Sequence, residues 1–270
     1  MSQSKNNQYA LITGATVGIG YELAKLFAQD GYNIIAVARN EADLKRVAVE
    51  FSASYGVQVE IFPKDLFGEN AASELYQEVK RKGLHVEVLV NDAGQGVYGL
   101  FDETDIDAQI RIVHLNIVSL TRLTYYFLKE MKARNSGKIL QLASIVSEIP
   151  SPYQAVYGGT KAFVLSFTEA LISELKDTNV TVTALQPGAT DTDFFRKMGG
   201  EHSKIAQDKD SLADPAKVAK DGFDALMKGD DKVVSGLKNK AQSVMSNVMP
   251  DTMLADQMKK QSEPVDQSKS

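Results

Sequence analysis

Short apolar runs alternate along this chain with longer segments whose apolar residues recur at helical spacing, and no other feature restricts its folding so strongly. The run 8–13 stops at Gly14 and leads into 18–30, where Ile19, Leu23, Leu26 and Phe27 share one helical face. A second run, 32–38, follows Gly31, a residue type that commonly closes helices. The alternation continues with helix 41–54, strand 58–62, helix 69–82, strand 86–90, one long helix 106–134, strand 138–143, helix 157–177 and strand 180–186. Asp214 and Pro215 supply a cap and a first-turn proline for a helix ending near Lys228, before a last strand at 232–235. Strands separated by such helices require right-handed crossovers and a parallel sheet covered on both faces. The expectation is an α/β fold, a single Rossmann-like domain over 8–235 with a doubly wound parallel sheet of about seven strands.

The flanks read differently. Residues 1–7 are polar and expected to be flexible, and 261–270 is expected to be a disordered polar tail. Segment 189–213 reads as a mobile substrate lid or as a solvated loop. A helical extension is expected over 236–260, where Met245, Met249 and Met253 recur every fourth residue and Met258 follows. It can pack on the domain or a partner subunit, cover a substrate entrance or touch a membrane surface.

Composition removes several function classes. With no Cys there is no disulfide framework, thiolate metal site or cysteine nucleophile, and the three His (His85, His114 and His202) are too scattered to suggest a metal centre. A formal charge of −5 argues against a nucleic-acid partner led by electrostatics. No run approaches the roughly 20 apolar residues of a membrane span, and Met1 to Gln8 lacks a signal-peptide core, so a cytoplasmic protein is expected.

Open α/β sheets bind ligands beyond the carboxyl ends of their strands. There this sequence places Thr13 to Gly20, Ala38-Arg39-Asn40, Lys64-Asp65-Leu66, Asn91-Asp92-Ala93-Gly94, Ser144 and Pro187-Gly188. In Gly14-Ala15-Thr16-Val17-Gly18-Ile19-Gly20, the first glycine permits a tight turn and the later two let backbone approach a pyrophosphate at a helix N-terminus. The spacing is neither GxGxxG nor a P-loop, and a glycine-rich connection without a ligand is the alternative. Arg39, 19 residues after Gly20, stands where an acid would hold a ribose 2′-hydroxyl. A guanidinium there suits a 2′-phosphate and favours NADP over NAD, unless Arg39 simply covers the surface.

A tyrosine four residues before a lysine shares its helical face, and the ammonium can lower the tyrosine pKa so that it exchanges a proton with a carbonyl or alcohol. The spacing occurs four times here: Tyr21/Lys25, Tyr76/Lys80, Tyr125/Lys129 and Tyr157/Lys161. Spacing alone therefore decides nothing. Context does, because only Tyr157 opens its helix, beside Gly158 and Gly159 and after a loop containing Pro150 and Pro152.

The TGxxxGIG segment at 13–20, the Asn-x-Ala-Gly at 91–94, Asn116, Ser144, Tyr157/Lys161 and the Pro187-Gly188 turn together resemble the short-chain dehydrogenase/reductase family over about 8–235. The resemblance implies a tyrosine general acid/base (Tyr157), a serine bonded to the reacting oxygen (Ser144), a lysine on the nicotinamide ribose that lowers the tyrosine pKa (Lys161) and an asparagine holding a relay water (Asn116). It also implies Asp65 and Leu66 near the adenine, Asn91, Ala93 and Gly94 along the cofactor, and Pro187, Gly188, Thr190 and Thr192 by the nicotinamide. Asp92 stands where the family usually has a second Asn, and is expected to serve loop structure more than chemistry. Val17 is apolar where some NADP-preferring members are basic, so the NADP preference rests on Arg39. Hydride transfer between NADP(H) and a small-molecule carbonyl or alcohol is the expected activity, with a homodimer or homotetramer built through 106–134 and 157–177. A non-catalytic NADP(H) sensor is the second reading, and another Rossmann enzyme such as a methyltransferase the third.

Overall fold

The computed structural model describes residues 5, 7–246 and 249–265, the side chains of 237–238 and 244–246 excepted. Strand β1 (Tyr9–Thr13) leads into α1 (Gly18–Gln29), then β2 (Asn33–Ala38), α2 (Glu41–Tyr55), β3 (Val59–Pro63), α3 (Ala71–Arg81) and β4 (Val86–Asn91). The second half runs through α4 (Ile106–Val113), a π-helical segment His114–Ser119, α5 (Leu120–Arg134), β5 (Gly137–Leu142), α6 (Ala155–Leu175) and β6 (Val180–Gln186). It ends with α7 (Phe194–Lys197), α8 (Lys204–Gln207), α9 (Pro215–Lys228), β7 (Lys232–Val234), α10 (Leu237–Ser246) and α11 (Asp251–Ser262). The seven strands pair in parallel in the order β3-β2-β1-β4-β5-β6-β7, the doubly wound Rossmann-like arrangement.

Strand alternation divides the core in two. Ala10, Ile12, Ile34, Ala36, Val88 and Val90 face α1, α2 and α9, where they meet Leu23, Phe27, Phe51 and Val218. Leu11, Ile35, Val37, Leu89 and Ile139 face the opposite layer and meet Leu75, Leu123, Phe127 and Met131. Local chemistry sets the helix ends. The Asn40 side chain accepts from the N–H groups of Ala42 and Asp43 to start α2, which ends at Gly56 with φ of 68°. Asp214 caps α9 ahead of Pro215, and Gly229 closes it at φ of 79°.

Several expectations need correction. The long helix 106–134 is interrupted, since its backbone widens into the π-helical segment that carries Asn116. The catalytic-side helix starts at Ala155, two residues earlier than periodicity suggested, so Tyr157 lies in its first turn rather than opening it. Met249 and Met253 do not share a helix: Pro250 disfavours helical backbone at 249, and α11 begins only at Asp251. Within the expected disordered tail, residues 261 and 262 complete α11, Pro264 bridges Ser203, and the Val265 N–H donates to the His202 carbonyl. Residues 266–270 lie outside the described residues, as do 1–4 and 6 of the expected flexible N-terminus, where Lys5 pairs with Asp30. Among the described residues no helix is long and apolar enough to cross a membrane.

Phe27 is fully buried, its ring meeting Tyr32 and Phe223 at centroid distances of 5.6 and 5.0 Å. Phe27→Ala leaves a cavity where α1 meets α9 and is expected to cost about 3–5 kcal/mol. Urea unfolding followed by circular dichroism measures that loss.

Candidate functional site

The strand order reverses between β1 and β4, so their following chains leave towards opposite faces and a crevice opens above them. Buried Thr13 holds its floor together. Its hydroxyl donates to the Val90 carbonyl and accepts from the N–H groups of Asp92 and Ala93 at 3.1 and 3.0 Å. Gly14 and Gly18 adopt φ of 77° and 60°, a left-handed backbone that glycine takes without strain. A Cβ at Gly14 would stand 2.7 Å from Asp92 Oδ2, and one at Gly18 would stand 3.0 Å from Thr192 Cγ2. Glycine at these positions therefore lets β4 and the chain after β6 close around the first turn of α1.

A cavity of about 830 Å3 occupies the crevice. Its wall brings together Gly14, Val17, Gly18, Ile19, Ala93, Gly94, Ser144, Tyr157, Lys161, Pro187, Gly188, Thr190 and Thr192. The other expected site residues stand outside that wall, for separate reasons. Gly20 lies behind Gly14, and the Thr16 carbonyl accepts from Arg46 at 3.3 Å. Arg39 and Asp65 are exposed at the far end of the sheet, where the Arg39 guanidinium lies 5.7 Å from the centre of the Phe67 ring. Leu66 is buried and its carbonyl accepts from the Ser119 hydroxyl at 2.6 Å. Asn91 turns away from the crevice, and its amide donates to Thr124 Oγ1 and Gln141 Oε1 inside the fold. Its side chain thus ties the sheet to α5.

Asn116 stands just outside the wall, between the loop after β4 and α6. Its Nδ2 donates to the Gln95 carbonyl and to Thr160 Oγ1, both at 2.9 Å, while Oδ1 accepts from the Gln95 N–H at 3.1 Å. These bonds clamp the loop after β4 to α6 and engage both N–H groups of the amide, while the backbone that carries Asn116 is the widened π-helical segment.

Tyr157 and Ser144 stand within hydrogen-bonding reach of one another on the cavity wall. Ser144 ends the β5 run and caps a short turn, its hydroxyl accepting from the Val146 N–H at 3.3 Å. Gly158 allows α6 to start so close to the preceding loop, because a Cβ there would meet Ser151 at 2.9 Å. Burial pushes the Tyr157 pKa above the ordinary phenol value; a hydrogen bond with Ser144 opposes the rise and the Asp92 charge adds to it. Lys161 donates to the Leu142 carbonyl at 2.6 Å and lies 5.8 Å from the Tyr157 ring centre. Burial pulls its pKa down to about 8, against the pull of Asp92. The Lys161 ammonium is directed at the Leu142 carbonyl, and the groups that shift Tyr157 here are its burial, Ser144 and Asp92.

The remaining wall is apolar towards Phe194 and Phe195, with the Phe194 ring 5.1 Å from that of Tyr157. Segment 189–213 is more than a solvated loop, since it contains two short helices and buries Met198 and Ser203. Of the readings open for the helical extension, α11 takes two, packing on the domain and walling the cavity. Met258 and residues 260–262 join the wall, and Tyr98 bonds to the Ser262 carbonyl. The methionine-rich composition was the one available signal, and it gave no direction.

A family model described as short chain dehydrogenase matches residues 8–202. The chain belongs to the short-chain dehydrogenase family. Within that family it is 37% identical over 183 residues to a very-long-chain 3-oxoacyl-CoA reductase of Coprinopsis cinerea, covering 66% of this chain and 53% of the relative. It is 33% identical over 190 residues to the human 17-beta-hydroxysteroid dehydrogenase type 3, covering 68% of this chain and 60% of the relative. The chain thus spans little more than half the length of these curated relatives. A Sphingobium yanoikuyae short-chain dehydrogenase solved in complex with NADPH superposes with a TM-score of 0.77 at 25% identity, covering 90% of this chain and 96% of that one.

Proposed function

We propose that this chain is an NADP(H)-dependent oxidoreductase that interconverts a carbonyl and an alcohol, with Tyr157 as general acid/base. The observation that carries the reading is the meeting of Tyr157, Ser144 and Lys161 on the wall of one cavity whose opposite side is the glycine turn of α1. The residues present fit a dinucleotide. Gly14, Gly18 and Gly94 line the cavity without side chains, and the first turn of α1 supplies N–H groups and carries no acidic residue. When bound, the dinucleotide supplies or accepts the hydride.

The protein's part is orientation and proton transfer. Its raised pKa keeps Tyr157 protonated at neutral pH, the form that gives a proton to a carbonyl oxygen being reduced. The Ser144 hydroxyl, beside Tyr157, is positioned to bond the same oxygen. Lys161 would meet the ribose beside the nicotinamide, and Pro187, Gly188, Thr190 and Thr192 would flank that ring. Val17, Ile19, Ala93 and Gly94 would lie along the dinucleotide, with Asp65 and Leu66 near the adenine. Arg39 supports the phosphorylated cofactor: it is exposed, and its guanidinium lies 5.7 Å from the centre of the Phe67 ring. The relatives named for 3-oxoacyl-CoA and hydroxysteroid chemistry, together with Phe194, Phe195 and Met258 in the wall, support a ketone on a bulky apolar body.

A homodimer or homotetramer belongs to this reading. Ile106 and Ile110 on α4, Tyr125 on α5 and Phe163 on α6 are large exposed side chains on neighbouring helices.

Three outcomes test the proposal. Tyr157→Phe should lower carbonyl-dependent NADPH oxidation by about 10²–10⁴-fold while leaving NADPH binding within a few-fold; undiminished turnover would sink the assignment. In fluorescence titrations, Arg39→Ala should weaken NADPH by about 10–100-fold and leave NADH unchanged. An equal effect on both cofactors would remove the argument for NADP. Light scattering should find an oligomer in solution that Ile110→Glu with Tyr125→Glu converts towards monomer, and a monomeric unmutated protein would refute the assembly.

A further inference from the structure

Helix α1 begins without a local cap. Val17 at its N-cap is apolar, makes no side-chain bond, and no acid follows in the first turn. The missing acceptor comes from the end of β4, where the Asp92 carboxylate takes a hydrogen bond from the Gly20 N–H. This carboxylate is built into the glycine turn, since a Cβ on either Gly14 or Gly20 would collide with Oδ2. It also lies on the cavity wall. A negative charge therefore already sits on the backbone that an anionic ligand at this helix end would use.

We propose that Asp92 takes up a proton from solvent when the phosphates of a dinucleotide settle at the N-terminus of α1, so that cofactor affinity is linked to pH. The proposal rests on the dinucleotide reading above. Around the carboxylate, α6 contributes Lys161 and the Tyr157 hydroxyl, and the first turn of α1 contributes no charged group. The end of β5 contributes Leu142, Ala143 and Ser144, and the neighbours along the chain are Asn91 and Ala93, all uncharged. Lys161 is thus the one cation facing it among the described residues, and that ammonium is bonded to the Leu142 carbonyl. Burial raises the Asp92 pKa to about 7, while Lys161 and the Gly20 N–H act to lower it. A phosphate charge brought to the same helix end disfavours the carboxylate further, and protonation removes the repulsion. Because the Asp92 charge also raises Tyr157, its discharge on binding would make the Tyr157 proton easier to transfer.

Asp92→Asn keeps the shape and removes the titration. Calorimetric titration with NADPH at pH 8, in two buffers of different ionisation enthalpy, should find the unmutated protein taking up more protons per ligand than the variant, in which Lys161, with a pKa of about 8, is the group left to titrate. The 2′-phosphate, with a second pKa of about 6, is already ionised at that pH and does not contribute. Kd of the unmutated protein should rise by up to about tenfold between pH 7.5 and 8.5 relative to the variant. Cofactor-free protein offers a second readout. An acid with a raised native pKa makes the folded state hold more protons than the unfolded one between about pH 4 and 7, so stability falls as pH rises through that window. Tm of the unmutated protein should therefore drop relative to Asp92→Asn from pH 4.5 to 7. NADPH binding with no proton uptake by the unmutated protein, or with equal uptake by both, overturns the proposal alone. No NADPH binding by either protein overturns it together with the dinucleotide reading.

Discussion

The site depends on how β1 and β4 are held together where the strand order reverses. A sheet that changes direction there must leave a gap above the two central strands, and the gap closes unless their ends are fixed. Thr13 fixes them with one hydroxyl, accepting from two successive N–H groups after β4 and donating back to Val90. Those N–H groups would otherwise be buried without partners, at roughly 1–3 kcal/mol each. The bond set also aims the Asp92 side chain at α1 and leaves Ala93 and Gly94 along the cavity wall.

Burial then governs the chemistry. Tyr157, Lys161 and Asp92 sit within a few residues' reach of one another, and each is pushed by burial towards its neutral form. For Tyr157 the neutral form carries the proton, as carbonyl reduction requires. For Asp92 and Lys161, pKa values of about 7 and about 8 place charge changes close to neutral pH.

Legibility from sequence followed physical range. Strand and helix alternation, the Asp214 cap and the glycine turn are local effects, and they came through within two residues or so. The crevice residues at strand ends also came through, because topology alone delivers Ser144, Gly94 and Gly188 to one edge. Side-chain direction did not. Asn91 belongs to a cofactor-edge motif yet bonds inward, since Gln141 on β5 and Thr124 on α5 offer partners that only the folded sheet brings near. Asn116 likewise bonds to Gln95 and Thr160, partners that only the folded chain brings to it. The methionine periodicity suggested one helix, and the backbone restriction before Pro250 divides it.

The sequence by itself determined the class of fold, the order of its elements and the edge on which chemistry collects, because hydrophobic period and turn chemistry act over a few residues. Family membership was likewise legible in a handful of spaced residues. Only the tertiary structure decided that Asp92 caps a helix 72 positions earlier in the chain, that Lys161 turns to Leu142, and that α11 returns to wall the cavity. Those outcomes depend on contacts between distant segments and on how far each charge is withdrawn from water, which no local pattern encodes.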